Sequence, residues 1–274
     1  MVKVSLKTIF LSLFTAITVV ADTQVPINVE KRQNAGPVSP QLMQMSAADV
    51  IPSAPIGPSV QALAAPAVCG SLTYDFSTQT TLGDLSVEWN PANVKILDGS
   101  LQMGLTQSAG CTVRYSKQFI KGKAEAYIKM APRNGAVSAF ILYGDTIKDE
   151  VDIEWLGRDH FTIQTMYFIN GQKVVGDTAM YSDSPDPATG NFTENYHKYG
   201  IELTDTEVNW YIDDVLVRKK VNTDPATFPS KANTVKFGVW NASGVDNGVW
   251  SGLINWNYMP KIMYMKSLNI QHYC

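Results

Sequence analysis

The 274-residue sequence predicts an all-β fold, a β-jelly-roll sandwich of two antiparallel sheets, over residues 69–274. Three observations predict it: short alternating apolar and polar runs recur from Cys69 onward, turn residues separate them, and no stretch of twelve or more residues carries amphipathic helix spacing. In chain order the runs are SLTYDF (71–76), LSVEW (85–89), NVKIL (93–97), LQMGLTQ (101–107), CTVRYSKQF (111–119), KAEAYIKM (123–130) and AVSAFILY (136–143). Then follow EVDIEWL (150–156), FTIQTMYF (161–168), YGIEL (199–203), EVNWYID (207–213), VLVRKKV (215–221), TVKFGVW (234–240) and MYMKSLNIQ (263–271). Asp98-Gly99, between NVKIL and LQMGLTQ, is a two-residue hairpin signal. About fourteen strands with no internal repeat point to one domain.

Residues 1–68 read differently. Lys3 and Lys7 precede an apolar run from Ile9 to Val20 that ends in Val19-Val20-Ala21, a small-residue cleavage pattern, so residues 1–21 read as a signal peptide. A membrane anchor is the competing reading, and the run falls short of the roughly 20 residues a spanning helix needs. Residues 22–32 read as a propeptide ending at the dibasic pair Lys31-Arg32. Residues 33–68 hold six prolines and one charged residue, Asp49, and read as a Pro/Ala-rich linker. A net charge of -3 with 17% charged residues gives no reason to expect a nucleic-acid partner; a monomer with no transmembrane segment is expected.

Cys69, Cys111 and Cys274 allow one disulfide and leave one thiol over, which fits an oxidising compartment. Cys69 with Cys274 pairs the two ends of the domain; Cys69 with Cys111 is the alternative. His160, His197 and His272 are isolated and no spacing resembles a zinc site, so neither metal nor cofactor is expected. The sequons at Asn191 and Asn241 fit N-glycosylated surface loops.

The densest chemistry lies in KDEVDIEWLGRD, residues 148–159. As a strand it puts Glu150, Asp152 and Glu154 on one face and Val151, Ile153 and Trp155 on the other. Cleaving a glycosidic bond needs a carboxylic acid at the leaving oxygen and a second carboxylate at the anomeric carbon. Glu150 and Glu154 can supply both, with Asp152 between them to hold the nucleophile and raise the pKa of the acid. Four residues of flat strand separate the two glutamates by roughly 13 Å at Cα, so curvature and inward-leaning side chains must close the gap. The bland reading is a solvated acidic strand or a calcium site; three like charges on one face argue against it.

The concave face of such a sandwich is a groove for an extended glycan, and aromatic residues are plentiful: Trp155, Trp210, Trp240, Trp250, Trp256, Tyr143, Tyr167, Tyr258 and Phe168. Most belong in a core. Trp240 in GVWNASGVDNG and Trp256 in SGLINWNYMP sit on turn-rich segments and are the candidates for stacking on a pyranose, with Tyr258 beside Trp256.

DEVDIEWLG resembles the Glu-x-Asp-x-Glu signature of glycoside hydrolase family 16, whose members are β-jelly-roll retaining enzymes. The resemblance runs through IKGKAEAYIKMAP, GAVSAFILY, QTMYF, YHKYGIEL, VNWYIDD, FGVW and GLINW, most of residues 110–257. It implies Glu150 as nucleophile, Asp152 as its assistant and Glu154 as acid/base. Within the family the chain is most similar to fungal Crh-type transglycosylases of the cell wall, which link chitin to β-glucan. The signature lacks the extra bulge residue common in β-1,3-glucanases, Lys148 stands where bacterial mixed-linkage glucanases usually have Trp, and GLINW resembles the Crh segment whose Trp borders the acceptor side. Lys31-Arg32 resembles the kexin-type sites of fungal precursors. The sequence departs at Met166, where the Crh pattern has Asn; Met166 alternates with Gln164 and Phe168 onto the expected cleft face. Asn257-Tyr258 replaces the small residues usual after Trp256, and WNASGVDNG also resembles the glucanase loop. No Ser/Thr-rich stalk or hydrophobic tail follows, so no lipid anchor is expected.

The resulting expectation is a secreted retaining transglycosylase of the fungal wall with chitin as donor and β-glucan as acceptor. A secreted β-glucanase and a non-catalytic glycan-binding jelly roll are the alternatives.

Overall fold

The computed structural model describes residues 66–258 and 261–274. The expected signal peptide, propeptide and most of the linker lie outside the described residues. Sixteen strands occur in the order β1 (Val68–Asp75), β2 (Leu85–Trp89), β3 (Val94–Leu97), β4 (Ser100–Leu105), β5 (Cys111–Tyr115), β6 (Gly122–Lys129), β7 (Ala136–Tyr143) and β8 (Glu150–Leu156). They continue with β9 (Thr162–Ile169), β10 (Gln172–Lys173), β11 (Met180–Asp183), β12 (His197–Leu203), β13 (Glu207–Ile212), β14 (Val215–Val221), β15 (Thr234–Asn241) and β16 (Lys261–Tyr273). Helical structure among the described residues is limited to three short 3-10 turns, and no helix is long and apolar enough to cross a membrane.

Two antiparallel sheets result. Sheet I runs β14-β13-β12-β6-β16-β4-β3, with β1 on β16; sheet II runs β10-β9-β8-β7-β15-β5-β2, with β11 on β9. Their facing surfaces form the core because period-2 alternation turns one row of each strand inward. Val151, Ile153 and Trp155 of β8 are fully buried, and Trp155 meets Tyr199 of sheet I edge-on at 4.5 Å between ring centres. Asp98 and Gly99 both adopt left-handed φ, as a two-residue hairpin between β3 and β4 requires, and Leu97 pairs with Ser100 across it.

β16 shows how the sandwich keeps alternation over thirteen residues. Its first half pairs with β4 and its second with β1, while β6 runs along both, and a bulge falls between Met265 and Ser267. The extra residue lets Met263 and Met265 before it, and Leu268 and Ile270 after it, all point into the core. β10 and β11, absent from the expected runs, are a two-residue and a four-residue strand bordering β9 and carry no apolar alternation.

Pairing of β1 with β16 brings the ends of the domain together, and Cys69 and Cys274 form the disulfide. Cys111 is buried, its Sγ 3.5 Å from the Gly104 carbonyl, and burial pushes its thiol pKa up to about 12. The bond closes a loop of 205 residues, so its contribution comes chiefly from the unfolded chain. Cys69→Ser is expected to lower unfolding stability by about 2–5 kcal/mol, read from denaturant unfolding together with a steeper slope, since the chain without the cross-link exposes more surface when it unfolds. Native wild type should show no rapidly reacting thiol and denatured wild type one; three in the denatured chain would mean that the disulfide does not form.

Candidate active site

The acidic strand β8 lies between β7 and β9, and register decides what surrounds each carboxylate. Glu150 pairs with Tyr143 on one side and Phe168 on the other, Asp152 with Ile141 and Met166, Glu154 with Ala139 and Gln164. Gln164, Met166 and Phe168 thus share the face of the three acids, as expected. This face is outside the core yet recessed: Asp152 is 2% exposed, Glu154 9%, and Met166, Ile141 and Tyr143 are buried beside them. Next to Glu154 the floor is built from Ala139 and, one strand further, Gly238, where an added Cβ would meet the Cys111 carbonyl oxygen at 2.1 Å.

The fourth carboxylate of the motif has another task. Asp149 is buried and accepts hydrogen bonds from the backbone N–H of Asn170 at 3.0 Å and Lys231 at 2.9 Å, tying the turn before β8 to two neighbouring loops. Lys148 beside it takes a left-handed φ of 62°. The start of β8 is thereby fixed from three sides. Its middle is fixed from the core, where Trp210 of sheet I donates its indole N–H to the Asp152 carbonyl at 3.0 Å.

Electrostatics divides the three acids. Burial raises all of them, and repulsion adds to the rise at Asp152 and Glu154. Asp152 is raised well above the carboxylate range, by desolvation first and then by Glu150 and Glu154, so it holds its proton and donates it to the Glu150 carboxylate. Among the described residues its Oδ1 has no hydrogen-bond partner, and the Met166 side chain opposite it carries no N–H or O–H to offer one. Glu150 is pushed up only to about 7, because the Asp152 hydrogen bond and the Lys236 ammonium pull against desolvation. Glu154 is pushed up to about 8 by burial and by Glu150, with the Trp240 indole N–H pulling the other way. Arg218, buried on the core side and donating to the Thr165 carbonyl at 2.6 Å, offsets part of the rise at Asp152.

An aromatic wall stands at the Glu154 end. The Trp240 indole favours the Glu154 anion, Trp250 lies 5.8 Å from Trp240 between ring centres, and the Trp250 N–H donates to Gln164 Oε1 at 2.8 Å. Trp250 was not among the expected site residues, although NGVWSG is as turn-rich as the segment around Trp240. Trp256 lies elsewhere: it packs against the main core, with the Lys261 ammonium 5.5 Å from its ring centre. Tyr258 is exposed, with the Arg133 guanidinium 5.5 Å from its ring. Neither has a described contact with the acids. Asn191 is partly exposed in a loop and Asn241 is exposed at the end of β15. None of the three histidines joins the acids; His197, the buried one, bonds Asp213 and the Thr189 carbonyl.

These shifts have a sign for stability. A carboxyl whose folded pKa lies above its unfolded value stabilises the fold fully only below the unfolded pKa, and that contribution is lost as pH rises through the folded one. For Glu154 the window runs from about 4.5 to about 8. Glu154→Gln is therefore expected to melt higher than wild type at pH 8 and to converge with it near pH 5; a melting temperature at or below wild type at pH 8 would contradict the assignment. Trp240→Phe removes an N–H that favours the Glu154 anion, so the alkaline limb of the rate profile should move to higher pH.

Residues 82–259 match Glycosyl hydrolases family 16. The chain is 30% identical over 226 residues to Crh-like protein 2 of Botryotinia fuckeliana, covering 76% of this chain and 47% of that one. It is 33% identical over 183 residues to a Beta-glucanase of Paenibacillus macerans, covering 63% of this chain and 72% of that one. Against the solved structure "Apo Crh5 transglycosylase" the TM-score is 0.66 at 28% identity, covering 76% of this chain and 86% of that one. The chain spans about half the length of the Botryotinia relative. Its sequence match and its two-sheet fold place this chain in glycosyl hydrolase family 16.

Proposed function

We propose that the protein is a retaining glycosidase and transglycosylase of the fungal cell wall, cleaving a β-1,4-linked chitin donor and transferring it to β-glucan. The observation that carries this reading is the division of labour among three carboxyls on one recessed face: Asp152 protonated and bonded to Glu150, Glu154 raised to about 8. An exposed acidic strand would titrate as a block near 4; this one holds a base and an acid together near neutral pH.

In the first step Glu150 attacks the anomeric carbon as the glycosidic bond breaks, and the departing oxygen takes the proton of Glu154. Asp152 orients the nucleophile and its hydrogen bond disperses the remaining charge. In the second step Glu154, now an anion, takes the proton of an incoming hydroxyl, and that oxygen displaces Glu150 from the sugar. A glycan hydroxyl gives transfer and water gives hydrolysis. Gln164, Met166, Phe168, Trp240 and Trp250 line this face, and Trp256 and Tyr258 serve as outlying glycan contacts. Similarity to a solved "Crh5 transglycosylase in complex with NAG" supports a chitin donor, and the proposal includes a wall location reached by secretion, with N-glycans at the sequons of Asn191 and Asn241.

The second reading is a secreted β-glucanase, in which water captures the same intermediate. It is favoured by the 72% of the Paenibacillus macerans Beta-glucanase that this chain covers, a larger share than it covers of the Botryotinia relative.

Chitin oligosaccharides incubated with a labelled β-1,3-glucan acceptor are expected to yield labelled hybrids by mass spectrometry with wild type and none with Glu150→Gln. Fragments without hybrids would make it a hydrolase. Azide added to Glu150→Gly should restore turnover of an activated glycoside and give a glycosyl azide of inverted configuration; unchanged activity in Glu150→Gln would remove the nucleophile assignment.

A further inference from the structure

We propose that Lys236 is a positioning residue for this reaction, a buried ammonium that holds Glu150 in its ionised form while Glu154 keeps its proton. The inference rests on Glu150 being the nucleophile. β15 sets Lys236 opposite Ile141 of β7, and Ile141 pairs with Asp152, so the lysine stands two strands from the acids on their own face. It is 1% exposed, unusual for a lysine. Its Nζ lies 4.6 Å from the ring centre of Tyr143, and Tyr143 pairs directly with Glu150, so the charge is directed to the Glu150 end of the row.

The ammonium is held by two carboxylates, Asp145 at 2.7 Å and Glu88 at 3.2 Å. Arg114 bridges the same pair, 2.8 Å from Asp145 and 3.8 Å from Glu88. A register shift between Val87 and Trp89 makes Glu88 the bulged residue of β2, which accounts for its turn toward β15. Two cations and two anions cancel formally, but not in their reach. The side chains of Asp145 and Glu88 are 40% and 28% exposed and water screens them, whereas that of Lys236 is 2% exposed and acts through a low-dielectric floor. The excess felt at Glu150 is positive.

The other groups facing Glu150 do not supply this. Asp152 of β8 donates a hydrogen bond to it but carries no positive charge, Glu154 holds its own proton, Tyr143 of β7 is neutral, and Phe168, Met166 and Gln164 of β9 carry no charge. Arg218 of β14 acts from the core side on Asp152. Without Lys236 only the Asp152 hydrogen bond would oppose, at Glu150, the burial that makes Glu154 an acid.

The test is the pH dependence of kcat/KM on a labelled oligosaccharide that wild type turns over, for Lys236→Met, Lys236→Arg and Asp145→Asn, with Glu150→Gln alongside. Losing the cation should move the acid limb up by about one pH unit. Lys236→Arg should stay near wild type, and Asp145→Asn, which unmasks the cation, should move the limb down. A purely structural role would lower the rate in both variants and leave the limb in place. An unmoved limb in Lys236→Met, or both variants moving the same way, overturns the proposal. Should Lys236→Met fail to fold, Asp145→Asn and Glu88→Gln decide by the same sign. Turnover retained in Glu150→Gln would instead remove the nucleophile assignment and this proposal with it; loss of turnover there with an unmoved Lys236→Met limb would remove only the role of Lys236.

Discussion

Desolvation of three carboxyls on one strand is the constraint to which the rest of the site responds. Period-2 alternation places Glu150, Asp152 and Glu154 together, and the fold recesses that face instead of exposing it. Three buried anions side by side are not stable, so the site resolves the conflict by protonating some and pairing others. Asp152 keeps its proton, Glu154 keeps its own with one indole N–H opposing, and Glu150 alone has both a hydrogen-bond donor and a cation working for its anion. The asymmetry comes from where the cations and donors stand, since the carboxyls are chemically alike.

A strand that stores this repulsion must be held in place by something other than its own side chains. Asp149 binds two backbone N–H groups at the strand's start, Trp210 binds the Asp152 carbonyl from the opposite sheet, and Val151, Ile153 and Trp155 fill the core. Arg218, stacked on Trp210 and Tyr167, holds β9 by the Thr165 carbonyl. Backbone contacts of this kind fix the chain while leaving the carboxyl groups free for the substrate.

The parts of this arrangement that depend on alternation were legible in the sequence. The acidic and apolar rows of KDEVDIEWLGRD, the Asp98-Gly99 hairpin and the placement of Gln164, Met166 and Phe168 beside the acids all follow from a period of two, and the structure has them so. What alternation does not encode was missed. β10 and β11 are too short to show a pattern, the bulge in β16 breaks its own period, and Asp149 reads as one more acid although it binds only backbone N–H groups. Lys236 reads as an exposed residue between Val235 and Phe237 until the fifth and seventh strands of the fold are brought alongside it. Trp250 and Trp256 lie on similar turn-rich loops, and only tertiary contacts separate the one bonded to Gln164 from the one packed on the core.

Under the proposed mechanism, the choice between water and a glycan falls at the Glu154 end, since Glu154 must deprotonate whichever hydroxyl attacks. There Trp240 and Trp250 form a wall, and the Trp250 ring is held by its hydrogen bond to Gln164 as well as by packing. A pyranose ring presents apolar C–H faces to such a wall, and water presents none. A fixed aromatic surface beside the base therefore lengthens the stay of a sugar hydroxyl near the anomeric carbon without doing the same for water. In that mechanism the ratio of transfer to hydrolysis is set by residence beside Glu154, not by any difference in the chemistry of the two nucleophiles.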